Sequence, residues 1–167
     1  MVPLTDVLEA RDLLVASEGR LDATISRLES FTEDERQQRV DDEWSAVESL
    51  RHLVLVIDLW LSKVILGERD PFDPIALPPT FMPPKLFPES SIDPDARPSC
   101  EEACEVLRSR MTELHHYVDA LTPDELARSV ETHAGTVGGA LHVMLTELDA
   151  HDRFINRDLD QLEAARP

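Results

Sequence analysis

Ser45-Ala46-Val47-Glu48-Ser49-Leu50-Arg51-His52-Leu53-Val54-Leu55-Val56-Ile57-Asp58-Leu59-Trp60-Leu61-Ser62-Lys63-Val64-Ile65-Leu66 is the stretch whose reading settles the fold class. It opens on an S-x-x-E capping box, Ser45 with Glu48, and Trp44 is placed to staple its N-terminus. Gly67 supplies the stop, because glycine tolerates the left-handed backbone that ends a helix. Between these signals Val47, Leu50, Leu53, Val54, Leu55, Val56, Ile57, Leu59, Trp60 and Leu61 place apolar side chains on more than one side. A helix apolar on several sides must be covered on several sides. The segment therefore predicts the central helix of an all-α bundle. Its most apolar run, Leu53 to Leu66, is interrupted by Asp58 and Lys63 and is too short and too charged to span a bilayer.

Three further long helices surround it in the pattern. The first runs from about Thr5 to Leu28, with Leu8, Leu14, Leu21, Ile25 and Leu28 as its expected buried face. The third runs from about Ser99 to Leu121, opened by the Ser99/Glu102 capping box. Its stripe reads Ala103, Val106, Leu107, Met111, Leu114, Val118 and Leu121. The fourth runs from near Thr136 to about Asn156, and Asp158 to Ala165 extends or follows it. Gly138 and Gly139 weaken its first turn, which a close approach of two backbones would justify. Short helical turns are expected after Thr32, capped with Glu35, and at Thr122-Pro123-Asp124-Glu125, with Pro at the first helical position.

Between the second and third helices, Gly67 to Pro98 contains nine prolines, including Pro78-Pro79 and Pro83-Pro84. No helix survives that density. Phe72, Ile75, Leu77, Phe81, Met82, Leu86 and Phe87 nevertheless make it too apolar for a disordered linker. The expectation is a four-helix bundle with a long Pro-rich crossover lying over it, which permits the second and third helices to run parallel.

The length of 167 residues fits a single domain spanning 1–167. Five glycines and a dominance of Ala, Leu, Glu, Arg and Asp agree with an all-α chain. A formal net charge of −18 argues against nucleic acid and against an anionic membrane surface, since both need a basic face. The segment Met1 to Asp12 is acidic and lacks the apolar core of a secretory leader, so a cytoplasmic location is expected. Cys100 and Cys104 then read as reduced thiols rather than a bridge. A helix N-terminus can lower a thiol pKa, but two small packed residues explain them as well.

Chemistry is suggested by the fourth helix. Its inward stripe reads Ala140, Val143, Met144, Glu147, Leu148, His151 and Ile155. Residues i and i+4 share one helix face, so a carboxylate and an imidazole sit where apolar side chains are expected. A buried carboxylate must be protonated, paired or bound to a cation. His52 interrupts the second helix in the same way, with Leu55, Val56 and Leu59 following on its side. Two histidines and a glutamate form a known metal-ligand set, with a position left open for a substrate. A lone E-x-x-x-H is common on helix surfaces, and a lone core histidine is often only hydrogen-bonded to a backbone carbonyl. The reading depends on the three meeting in space. His142 lies nine residues from His151, about half a turn away, and should face elsewhere. His115 and His116 are expected to be solvated, and His133, in the loop before the fourth helix, is a candidate to support a ligand or to touch substrate. No phosphate-binding glycine loop, G-x-S-x-G, C-x-x-C or H-E-x-x-H is present.

The run Trp44 to Val54 resembles the second helix of the DinB-like superfamily, in particular its actinobacterial members. Ala140 to His151, with Arg153-Phe154 and Arg157-Asp158-Leu159, resembles their last main helix. Asp70-Pro71-Phe72, Leu77-Pro78-Pro79 and Ala96-Arg97-Pro98-Ser99 resemble their crossover, so the likeness spans nearly the whole chain. It implies a divalent metal, zinc or nickel, held by His52, Glu147 and His151. Many members have His at the first position of the pair; Glu147 matches the branch related to mycothiol-dependent maleylpyruvate isomerase. Leu148, Asp149, Ala150 and Asp152 depart from that branch, which has a more acidic and aromatic run and a further His there. The ligands are intact; the residues that orient them differ.

The resemblance favours a thiol-dependent transferase or isomerase, in which a low-molecular-weight thiol is activated at the metal and acts on a small-molecule substrate. Two alternatives stand beside it: a metal-dependent hydrolase, and a metal-binding domain without turnover. Bundles of this type pair through helix faces, so a homodimer is compatible with the sequence, but no seam in it selects one.

Overall fold

The computed structural model describes residues 2–82 and 90–166. Among them the chain is helical, with one isolated bridge between Ser129 and Thr136. The helices are α1 (Val7–Leu28), α2 (Glu33–Gln37), α3 (Ala46–Ile57), α4 (Cys100–Asp119), α5 (Pro123–Ala127) and α6 (Val137–Ala164). A π-helical segment, Asp58–Ile65, continues α3 without a break. The capping boxes at Thr32/Glu35, Ser45/Glu48 and Ser99/Glu102 all form, each closing two otherwise unpaired backbone donors. Gly67, with φ of 75°, stands two residues beyond the π segment in the left-handed region.

Cross-helix partners fix the topology. Leu4 meets Gly138, Thr24 meets Asp152 and Arg27 meets Asp160, so α1 and α6 run parallel. Arg11 reaches Asp119 while Glu18 holds His115, so α1 and α4 are antiparallel. Glu43 pairs with Arg157, His52 faces Glu147 and Ile65 meets Arg128, so α3 and its π extension run against α6. The α3 and α4 helices therefore run parallel, tied together by Asp58 and Arg110. Each long helix packs against two others, and α3 is buried almost throughout, from Ala46 to Ile57.

The expected elements are present with two corrections. Leu8 is exposed rather than buried. The inward stripe of α1 is Ala10, Leu14, Ser17, Leu21, Thr24, Ile25 and Leu28, and Leu8 is about half a turn out of phase with Ala10. The second half of the central helix is π rather than α. Of the two alternatives for Asp158 to Ala165, the structure shows the extension: the fourth helix runs to Ala164, because nothing between Arg157 and Ala164 breaks it and Asp158 and Leu159 are buried.

The segment after Gly67 is non-helical up to Met82, and again from Ser90 to Ser99. Its first half is strapped to α3. Arg51 Nε donates to the Ile75 carbonyl at 2.7 Å, Leu77 N donates to the Arg51 carbonyl at 3.2 Å, and Asp73 N donates to Asp58 at 2.8 Å. Phe72 and Ala76 are buried there, whereas Phe81, expected to lie over the bundle, is exposed. Pro83, Pro84, Leu86 and Phe87 of the expected crossover lie outside the described residues.

The two glycines of α6 are explained by close approach. A Cβ on Gly138 would sit 2.0 Å from the Leu4 carbonyl oxygen, and one on Gly139 would sit 2.1 Å from that of Ala134. Backbone cannot yield as a side chain does. Gly138→Ala is expected to lower stability by about 2–3 kcal/mol, the cost of overpacking. Urea unfolding would read it; a change within error would mean that the N-terminal strand of chain at Leu4 moves aside freely.

Candidate metal centre

His52, Glu147 and His151 do meet. One ligand atom from each lies within 4.8 Å of the others. Glu147 Oε2 is 3.9 Å from His52 Nε2 and 3.6 Å from His151 Nε2. Both imidazoles are buried, and the carboxylate is half-buried between them. The α3 and α6 helices deliver them: His52 comes from the fully covered face of α3, and Glu147 and His151 come from successive turns of α6.

The hydrogen bonds and charges of the cluster suit a cation. His52 Nδ1 lies 3.1 Å from the Leu77 carbonyl. A carbonyl can only accept, so Nδ1 carries the proton, and in the neutral ring Nε2 presents a lone pair. That lone pair faces a carboxylate, another acceptor. Burial, and then the charge of His52, push His151 down to about 4, so its ring is neutral and able to ligate at neutral pH. The approach of the His52 ring holds Glu147 below the usual carboxylate range despite its burial. Three groups that can each offer an electron pair converge on one point. Tetrahedral coordination at about 2.1 Å places ligand atoms about 3.4 Å apart. The separations of 3.6 and 3.9 Å reach that by small side-chain rotations. His151 Nδ1 is buried with no hydrogen-bond partner among the described residues, where packing orients this ring instead.

Aromatic rings do that packing. Trp44 lies 4.8 Å from the His52 ring and stacks 5.9 Å from His151, and the two imidazoles are themselves 4.8 Å apart. Phe154 meets His151 edge-on at 5.5 Å. Trp44 was read from sequence only as a helix staple. Its place two turns ahead of His52 was the available signal for a role beside the ligands.

The cluster opens into a cavity of about 720 Å³ whose wall is mainly apolar: Leu55, Leu59, Trp60, Phe81, Met82 and Val143 contribute. His133 lines it too, edge-on to Trp60 at 5.3 Å. On its other side His151 borders a more polar cavity of about 480 Å³ with Arg39, Glu43, Phe154 and Asp158.

The remaining candidates lie elsewhere. His142 does not line the cavity. His142→Ala is expected to leave the bound-metal content of purified protein unchanged, and elemental analysis would check it. His115 is not simply solvated: Glu18 and Asp119 bind its two nitrogens and raise its pKa, tying α4 to α1. The Cys100 and Cys104 thiols are free and buried, 4.0 Å apart; their contact, and then burial, raises the Cys100 thiol, and the same contact lowers that of Cys104. Asp152, where a further histidine was noted as missing, accepts from Thr24 at 2.6 Å and serves helix docking. Asp149 likewise pairs with Arg20 and Arg153.

Fold and site together define an all-helical bundle with a His/Glu/His group able to hold a metal ion between two of its helices. The chain belongs to the DinB superfamily, whose family model matches residues 16–155, a span that includes all three residues of the group. No curated protein and no solved structure matches it. Among the described residues no helix is long and apolar enough to cross a membrane.

Proposed function

We propose that this protein is a metalloenzyme in which His52, Glu147 and His151 hold a divalent cation, zinc or nickel, and that it transfers or isomerises a small apolar substrate with a low-molecular-weight thiol. The observation that carries the proposal is the position of the group, at the base of an apolar cavity large enough for a small molecule. A divalent cation there would supply Lewis acidity, stabilising the ionised form of a thiol at neutral pH.

The chain's own groups have distinct tasks. Glu147 provides the negative charge that makes the set selective for a cation. The Leu77 carbonyl fixes the His52 tautomer and aims Nε2 at the site. Trp44 and Phe154 clamp the His151 ring. The apolar wall sheds water from the reacting atoms, which strengthens electrostatic interactions within it. Apart from the three ligands, His133 is the titratable side chain lining this cavity among the described residues. It stands against Trp60.

Metal-loaded protein mixed with a low-molecular-weight thiol and a model electrophile tests the reading. Metal-dependent conjugation or isomerisation is expected. Metal-dependent acid release from esters or amides would replace it with the hydrolase. Inertness toward both would leave a metal-binding domain without turnover.

A further inference from the structure

Arg51 precedes the proposed ligand His52 and is buried on the adjoining face of α3, with 4 % of its surface exposed. Its Nε donates to the Ile75 carbonyl. Its Nη2 is buried with no hydrogen-bond partner among the described residues, and no carboxylate forms an ion pair with it there. A guanidinium has five donors and no acceptors, and burial of one without an anion is strongly disfavoured. Most buried arginines answer this with a fork of bonds to an acid. Neither Glu48 nor Asp93 hydrogen-bonds it: Glu48 takes the Arg39 guanidinium and the Ser45 amide, and Asp93 Oδ1 accepts from Asp95 N.

The same side chain lines a separate cavity of about 360 Å³ under the strap. Leu77, Pro78, Met82 and Ile92 make its wall largely apolar, and Thr80 and Ser90 add hydroxyls. Pro79, Thr80 and Met82 also border the metal-site cavity, so a thin wall of strap divides the two.

We infer that this cavity is a binding site for a small apolar carboxylate, its anionic head on the guanidinium of Arg51 and its body against Leu77, Pro78, Met82 and Ile92. The chemistry selects that class. A bare inorganic anion would leave the apolar wall wet, and a neutral apolar molecule would leave the guanidinium unanswered. The two strap contacts link the sites: Ile75 is held by Arg51 and Leu77 by His52. The site does not rest on the proposed metal chemistry, because neither Arg51 nor its cavity includes a ligand.

Benzoate, titrated by calorimetry into the full chain, is the probe, with benzamide as its neutral counterpart. Benzoate is expected to bind, and benzamide to bind at least about tenfold more weakly, as loss of a charge-assisted contact implies. Arg51→Met should reduce benzoate affinity by about the same factor with helicity retained. Ile92→Trp, on the partly exposed rim, should block the cavity while leaving Arg51 in place. Glu147→Gln should bind benzoate as wild type does, which separates this site from the metal centre. Absence of benzoate binding, equal binding of benzamide, or undiminished binding by both Arg51→Met and Ile92→Trp would overturn the inference.

Discussion

Glu147→Gln is expected to strip the protein of tightly bound metal while leaving its helices intact. Glutamine keeps the volume and nearly the helix propensity of glutamate, and position 147 is only half-buried, so the bundle has no reason to unfold. What is lost is the negative charge. The two remaining donors are imidazoles, and burial pushes that of His151 down to about 4. Two neutral nitrogens and an amide oxygen make a poor divalent site, because carboxylate charge offsets much of the cost of dehydrating the ion. Loss of a residue that merely orients a ligand weakens metal by about 10–100-fold, so loss of a ligand should exceed about 100-fold. Elemental analysis after dialysis reads the loss directly. Thermal unfolding gives a second reading: metal at about a thousand times its Kd should stabilise wild type by about 4 kcal/mol and the variant by almost nothing. Equal metal content in the two proteins would remove Glu147 from the ligand set.

The three members of the candidate site were legible because each breaks a strong local rule. His52, Glu147 and His151 are polar positions on apolar stripes, and helical periodicity alone puts the last two on one face. What periodicity cannot supply is the angle between α3 and α6, which brings His52 onto that face. Nor can it supply the neighbours that hold the rings. Leu77 contributes through its carbonyl, which has no side-chain signature. Trp44 precedes its helix and so sits outside the pattern. His133, exposed in its loop, reaches the cavity through Trp60. The π segment was hidden for a different reason. Leu59, Trp60, Leu61, Val64 and Ile65 are apolar in any phase, so a wider turn leaves no mark on the sequence. The helix boundaries were legible because they rest on side chains that do one job: Ser45, Ser99, Thr122 and Thr136 each cap the helix that follows. Leu8 failed for want of that uniqueness, since a leucine near a helix end is compatible with either face.

Asp58 was read from sequence only as a charge that disqualifies a membrane span, yet it is fully buried where the π segment, α4 and the strap converge. Arg110 Nε reaches Oδ1 at 2.6 Å and Asp73 N reaches Oδ2 at 2.8 Å. Burial nonetheless outweighs these partners and raises the carboxyl from 3.8 to about 6. A folded pKa above the unfolded one means that this group favours the fold most at low pH. That contribution declines as pH rises through about 4 to about 6, and above that range the ionised form depends on Arg110. Arg110→Met should therefore be costly in a pH-dependent way. At pH 8 it leaves an uncompensated buried carboxylate, a loss of about 3–5 kcal/mol. At pH 5 the carboxyl is largely protonated in both proteins, and the loss should shrink to about 1 kcal/mol for the missing hydrogen bond. Adding Asp58→Asn should recover most of the loss at pH 8, since neither partner then carries an unpaired charge. Urea unfolding of the single and double variants at both pH values tests this. A loss that is the same at pH 5 and pH 8 would show that Arg110 stabilises the junction by packing, not by answering the charge of Asp58.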